Sequence, residues 1–175
     1  KTTAGFVAGT YWFLMLVGRL LGASLGSKIS SKTMLASVST VGLILVLAAI
    51  FSPTTTQVAI PALQTSATGA LSFGMAQVPI NAMFLVIIGL CTSIMWGSIF
   101  NLAVEGLGKF TPAASGIFMT LVCGGGILPA IQGAVADAGN NYLVSYWVIF
   151  AGLAYLLYYA LIGSKNVNKN ISTEE

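Results

Sequence analysis

Five long apolar runs separated by polar connections constrain this chain more than any other feature. They cover residues 4–26, 34–51, 82–104, 113–136 and 142–162. A helix needs about 20 residues to cross the hydrocarbon of a bilayer, and each run reaches or approaches that length. Within lipid every backbone N–H and C=O must be satisfied by the protein itself, which leaves helices and closed barrels. The runs lack the apolar–polar alternation of barrel strands, so helices are expected. Composition removes the soluble alternative: 57% of the 175 residues are hydrophobic and 6% are charged, against roughly 25% charged in soluble domains. The expectation is an all-α integral membrane protein of about five transmembrane helices, with the lipid bilayer as its solvent.

The connections carry the topology. Lys28 and Lys32 lie between the first two runs, Lys109 between the third and fourth, and Lys165 and Lys169 in the tail, residues 163–175. Five crossings place all of these on one side of the membrane, with Lys1 on the other. Cytoplasmic connections are enriched in Lys and Arg, so the lysine side is read as cytoplasmic, with the N-terminus of this piece outside and its C-terminus inside. Residues 52–80 contain no charged side chain and are rich in Thr, Ser, Gln, Gly and Pro. They are expected to form an external loop with a short helix near residues 62–70, with a re-entrant or interfacial segment as the alternative. Pro53, Pro61 and Pro79 oppose a sixth crossing. The start at Lys1, running almost directly into an apolar stretch that holds Arg19, is unlike a signal peptide and is read as a piece of a longer polypeptide.

Several functions are excluded by what the chain lacks. It has no histidine, so imidazole bases, His-liganded metals and Ser–His or Cys–His catalysis are absent. Cys91 and Cys123 each sit within an apolar run and read as small buried residues. The net charge of +3 is scattered among the connections, so no nucleic-acid partner is expected. No run contains an acid–base pair or nucleophile set, and neither enzyme activity nor a cofactor or metal is expected.

Polar and irregular residues inside the runs point to mechanism. In the third run Ser93, Ser98 and Asn101 need partners or a cavity, because unpaired polar groups are costly in hydrocarbon. A sugar requires hydrogen-bonding amides and an aromatic face for its C–H groups, and Trp96 with Asn101 supplies both. They stand about 140° apart on an ideal helix, so one pocket reaches both only by wrapping around it. Gln132 in the fourth run is a further candidate ligand. Arg19, toward the lysine-bearing end of the first run, must pair or snorkel, and Glu105 is the acidic residue at that level; the two are a candidate gate ion pair. Gly124, Gly125 and Gly126 followed by Pro129 form a poor helical sequence and a candidate bending element. Gly116, Thr120 and Gly124 also form a small-residue stripe. Asp137 reads as a solvated terminus. The aromatics Tyr142, Tyr146, Trp147, Tyr158 and Tyr159 bracket the fifth run as an interfacial belt.

Three stretches resemble the fucose–proton symporter family of the major facilitator superfamily, which includes fucose and glucose/galactose permeases. They are Gly9-Thr10 through Gly18-Arg19-Leu20-Leu21-Gly22, Ser93 through Ala103 with Gly106-Leu107-Gly108, and Ser115-Gly116 through Gly124-Gly125-Gly126-Ile127 with Gln132 through Asp137. Where the family commonly has an aromatic followed by proline this chain has Trp96-Gly97, and Glu105 stands where lysine is frequent. The resemblance implies that the chain matches helices eight to twelve of a twelve-helix fold in the inner membrane. It implies a monosaccharide substrate, alternating access and a proton as coupling ion. It also implies a missing N-terminal six-helix half that carries the proton-coupling carboxylates. Two rivals stay open: a major facilitator transporter of a non-sugar solute, and a non-transporting membrane scaffold subunit.

Overall fold

The computed structural model describes residues 2–65, 71–122 and 124–165. Its elements in chain order are helix α1 (Thr2–Gly26), α2 (Ser31–Phe51), strands β1 (Gln57–Thr65) and β2 (Leu71–Pro79), α3 (Ile80–Val104), α4 (Thr111–Leu121), α5 (Gly124–Gly139) and α6 (Tyr146–Tyr158). A short 3-10 turn leads into α4, another leads into α6, and a π-helical turn (Tyr159–Gly163) follows α6. Five helical stretches are long and apolar enough to cross a membrane: Val7–Gly26, Ser31–Phe51, Ile80–Val104, Gly108–Gly139 and Tyr142–Gly163. The chain is multi-pass and all-α in its membrane part.

Local chemistry sets the helix ends. Ser30 caps α2, its hydroxyl accepting from the Thr33 N–H at 3.2 Å, and Pro53 follows the last turn. Gly106, at φ 78°, turns the backbone out of α3 where a residue with a Cβ would be strained. Hydroxyls within the apolar helices bond back to carbonyls one turn earlier, as Ser98 does to Ile94 at 3.1 Å and Thr40 to Ala36 at 2.9 Å. That pairing makes them tolerable in lipid. Ser39 is the exception among the described residues, with a buried hydroxyl that has no partner.

The main core lies between α2, α3 and α6, where Leu35, Val46 and Ala49 meet Ile88, Met95 and Leu153. Gly42 lets α6 come close, since a Cβ there would stand 3.3 Å from a Leu153 methyl. Helix α1 packs on the other flank of α3. Its contacts advance together along both helices, from Tyr11 against Gly89 to Gly22 against Ile94, so α1 and α3 run parallel.

One expectation changes. Residues 57–65 and 71–79 form an antiparallel hairpin, paired from Gln57↔Pro79 to Thr65↔Leu71, not an irregular loop. Residues 62–65 of the expected short helix are strand, and residues 66–70 lie outside those described. The reason is alternation: Val58, Ile60, Ala76 and Val78 point inward while Gln57, Ala59, Pro61, Met75 and Gln77 point outward. Pro61 is tolerated because a two-stranded ribbon is all edge. In the fourth run α4 ends at Leu121, Val122 lies in a turn, and α5 is described from Gly124. Pro129 then lies within α5, where it lacks the N–H that would reach the Gly125 carbonyl.

Candidate functional site

Helices α1 and α3 and the first turns of α2 line a half-open cavity of about 430 Å³. Arg19, Gly22 and Gly26 contribute from α1, Ser31 and Met34 from α2, and Ser93, Trp96, Ser98 and Asn101 from α3. The close approach of α1 and α3 builds its floor. Gly18 is buried, and a Cβ there would clash with the Ser93 hydroxyl and stand 2.9 Å from the Leu90 carbonyl oxygen. With only hydrogen at that position the helices touch, and the wider gap beyond them is the cavity.

Trp96 and Asn101 therefore share one space despite their angular separation, because the cavity extends along α3 between α1 and the start of α2. Trp96 remains 39% exposed, with its ring centroid 5.4 Å from that of Phe118 on α4. Phe118 also meets Phe100 edge-on at 5.4 Å, so α4 attaches to the cavity wall through aromatic contacts. The Asn101 amide donates to the Ser31 hydroxyl at 3.4 Å, a long bond that a ligand hydroxyl can replace. Ser93 is buried and donates to the Leu90 carbonyl at 3.2 Å. Gly97 leaves open space beside Trp96, with nothing within 4 Å of where a Cβ would stand.

Other candidates lie elsewhere. Gln132 borders a separate cavity of about 390 Å³ with Thr92, Met95 and Leu128, on the α5–α6 side of α3. Its amide reaches the Ser145 hydroxyl at 3.5 Å, because the turn before α6 is what α5 packs against. Arg19 shares the cavity with Trp96. Glu105 lines a neighbouring space with Lys32 and Ser164, and no ion pair joins Arg19 to Glu105 among the described residues. Separation in sequence by a whole hairpin and two helices hid this offset. At Gly116, Gly125 and Gly126 nothing among the described residues lies within 4 Å of where a Cβ would stand. Cys91 is buried with a free thiol; Cys123 and the tail from residue 166 lie outside the described residues. Ser31, Met34 and Phe118 were not evident as site residues. Only the approach of α2 and α4 to α3 brings them there, and no spacing in the sequence signals it.

A glucose/galactose transporter of Brucella abortus biovar 1 (strain 9-941) is 48% identical to this chain over 79 residues, which is 45% of the chain and 19% of that protein. A putative glucose/galactose transporter of Helicobacter pylori (strain ATCC 700392 / 26695) is 32% identical over 160 residues, 89% of the chain and 33% of that protein. The likeness is to a sugar-transporter family. The chain spans only 19% to 33% of the length of these curated relatives. No protein-family model matches the chain, and no solved structure matches it. These relatives are named as transporters and not as enzymes.

Proposed function

We propose that this chain forms the sugar-facing part of a proton-coupled monosaccharide transporter of the major facilitator type, working by alternating access. In this reading its five spans are helices eight to twelve in an inner membrane, with the N-terminus of the piece outside and the C-terminus cytoplasmic. The proton-carrying carboxylates belong to an N-terminal six-helix half. The observation that carries the proposal is the cavity between α1, α2 and α3. It sets an indole face beside an amide and hydroxyls in about 430 Å³, a volume in the range of small-molecule sites. The indole suits the C–H face of a pyranose, and Asn101, Ser31 and Arg19 supply hydrogen bonds to its hydroxyls. The relatives' names point to glucose or galactose, with fucose a further member of the class.

The test is counterflow and pH-driven uptake of labelled glucose, galactose and fucose by the full-length protein in proteoliposomes. One of the three exchanges, and an imposed inward proton gradient raises its uptake. Trp96→Ala weakens sugar affinity about tenfold, equivalent to ~1.4 kcal/mol, while Trp96→Phe retains most of it. Counterflow of a non-sugar solute alone overturns the substrate class. Uptake indifferent to the proton gradient overturns the coupling.

A further inference from the structure

The β1–β2 hairpin is placed where a water-exposed loop is not expected. Its inward residues Ile60 and Val78 form a buried cluster with Val86 of α3, against which Val7 and Leu14 of α1 and Met83 of α3 pack. The Thr10 hydroxyl also donates to the Pro61 carbonyl at 3.4 Å. The apolar part of α1 begins at Val7, and Thr10, bonded to Pro61, lies about 5 Å further along at 1.5 Å per residue. Val86 lies about 9 Å along α3 from its first residue, Ile80. Since α1 and α3 run parallel, both helices place the inner face of the hairpin just inside the start of their apolar stretches. The hairpin folds back along their flank, below the level at which α3 begins.

Its chemistry fits that depth. Residues 52–80 contain no Asp, Glu, Lys or Arg, so no charge has to be desolvated. The described outward residues, Gln57, Ala59, Pro61, Met75 and Gln77, are uncharged and either apolar or amide-bearing. A two-stranded ribbon leaves backbone groups unpaired along its edges, which is expensive in hydrocarbon. Three features reduce that cost: Pro61 and Pro79 have no N–H, the Pro61 carbonyl is bonded by Thr10, and the Ile80 N–H closes the base onto the Thr56 carbonyl at 2.9 Å. The remaining edge groups need water or headgroup partners. That combination matches the headgroup layer and fits neither the hydrocarbon centre nor bulk water.

We propose that the hairpin is a membrane-surface element, lying in the headgroup layer of the leaflet bordered by the α2–α3 connection, clamped to α1 and α3 on its inner face and contacting phospholipid with its outer face. The proposal rests on the multi-pass architecture and is independent of what the protein transports.

Single cysteines are placed at Ala59 on the outward face, at Lys28 in the α1–α2 connection as the water reference, and at Ile44 in mid-α2 as the lipid reference. Cys91 and Cys123 are replaced by alanine in the full-length protein. After nitroxide labelling in phosphatidylcholine–phosphatidylglycerol vesicles, collision with oxygen is compared with collision with a water-soluble nickel chelate. The oxygen-to-nickel ratio at Ala59→Cys falls between that of Lys28→Cys and that of Ile44→Cys, and a ratio equal to that of Ile44→Cys overturns the headgroup placement in favour of the hydrocarbon. A ratio equal to that of Lys28→Cys overturns the proposal in favour of a solvated hairpin. Low collision with both reagents overturns it in favour of a covering polypeptide. In the unmodified protein, a phospholipid with a diazirine beside its headgroup labels peptides spanning residues 57–61 and 74–79. Labelling confined to the helices overturns the proposal without any cysteine substitution.

Discussion

Gly18→Ala tests the contact on which the cavity is built. The added Cβ would clash with the Ser93 hydroxyl and lie 2.9 Å from the Leu90 carbonyl oxygen and 3.2 Å from the Leu90 Cα. Ser93 can rotate away, but the Leu90 backbone yields only if α1 and α3 move apart. Overpacking of this kind costs about 1–3 kcal/mol. It is opposed by the gain from replacing glycine inside a helix, about 1 kcal/mol. Gly152→Ala on α6 isolates that gain, because nothing lies within 4 Å of a Cβ there. The difference in stability between the two variants should therefore be about 1–3 kcal/mol against Gly18→Ala. The assay is thermal unfolding of the purified full-length protein in detergent, followed by fluorescence-detected size exclusion. Adding Ser93→Ala should recover only part of the loss, since the Leu90 contact remains. Gly89→Ala should reproduce the loss from the opposite helix, where a Cβ would meet the Tyr11 ring at 2.9 Å and the Tyr11 carbonyl at 3.1 Å. If Gly18→Ala melts at or above Gly152→Ala, α1 and α3 do not pack through this glycine, and the cavity geometry is wrong.

Two further outcomes follow from the same structure. Gln132→Ala should leave sugar affinity within about twofold and lower stability by ~1 kcal/mol, because its amide bonds Ser145 outside the Trp96 cavity; equilibrium sugar binding paired with thermal unfolding checks it, and a tenfold loss of affinity would put Gln132 back in the sugar site. Gly125→Ala with Gly126→Ala meets no steric obstacle among the described residues and adds up to ~2 kcal/mol of helix propensity at the start of α5. Stiffening there should slow transport turnover while leaving equilibrium sugar affinity unchanged, and unaltered turnover would remove the bending role.

Much of the architecture was legible because one physical demand dominates it. Backbone groups in hydrocarbon must bond within their own segment, so five runs of sufficient length specify five crossing stretches whatever surrounds them. Ser93, Trp96 and Asn101, the polar and aromatic residues singled out in the third run, all border one cavity. The hairpin was harder to read. Its alternation of Val58 and Ile60 with Gln57, Ala59 and Pro61 is short and weakly contrasted, and three prolines obscure it. It becomes a ribbon because α1 and α3 present an apolar flank for its inner face.

Tertiary structure alone decided which polar residues meet. Gln132 and Asn101 are similar amides in similar apolar helices, yet α5 packs toward the turn before α6 and carries Gln132 to the far side of α3. Arg19 and Glu105 belong to spans of matching depth, but the spacing of α1 and α3 places them in adjoining spaces with no ion pair between them. Hydropathy reports how deep a residue lies along the membrane normal and nothing about its azimuth. The azimuth comes from close packing, above all from glycines such as Gly18 and Gly89 that let one helix rest against another, and it is the azimuth that assembles a site.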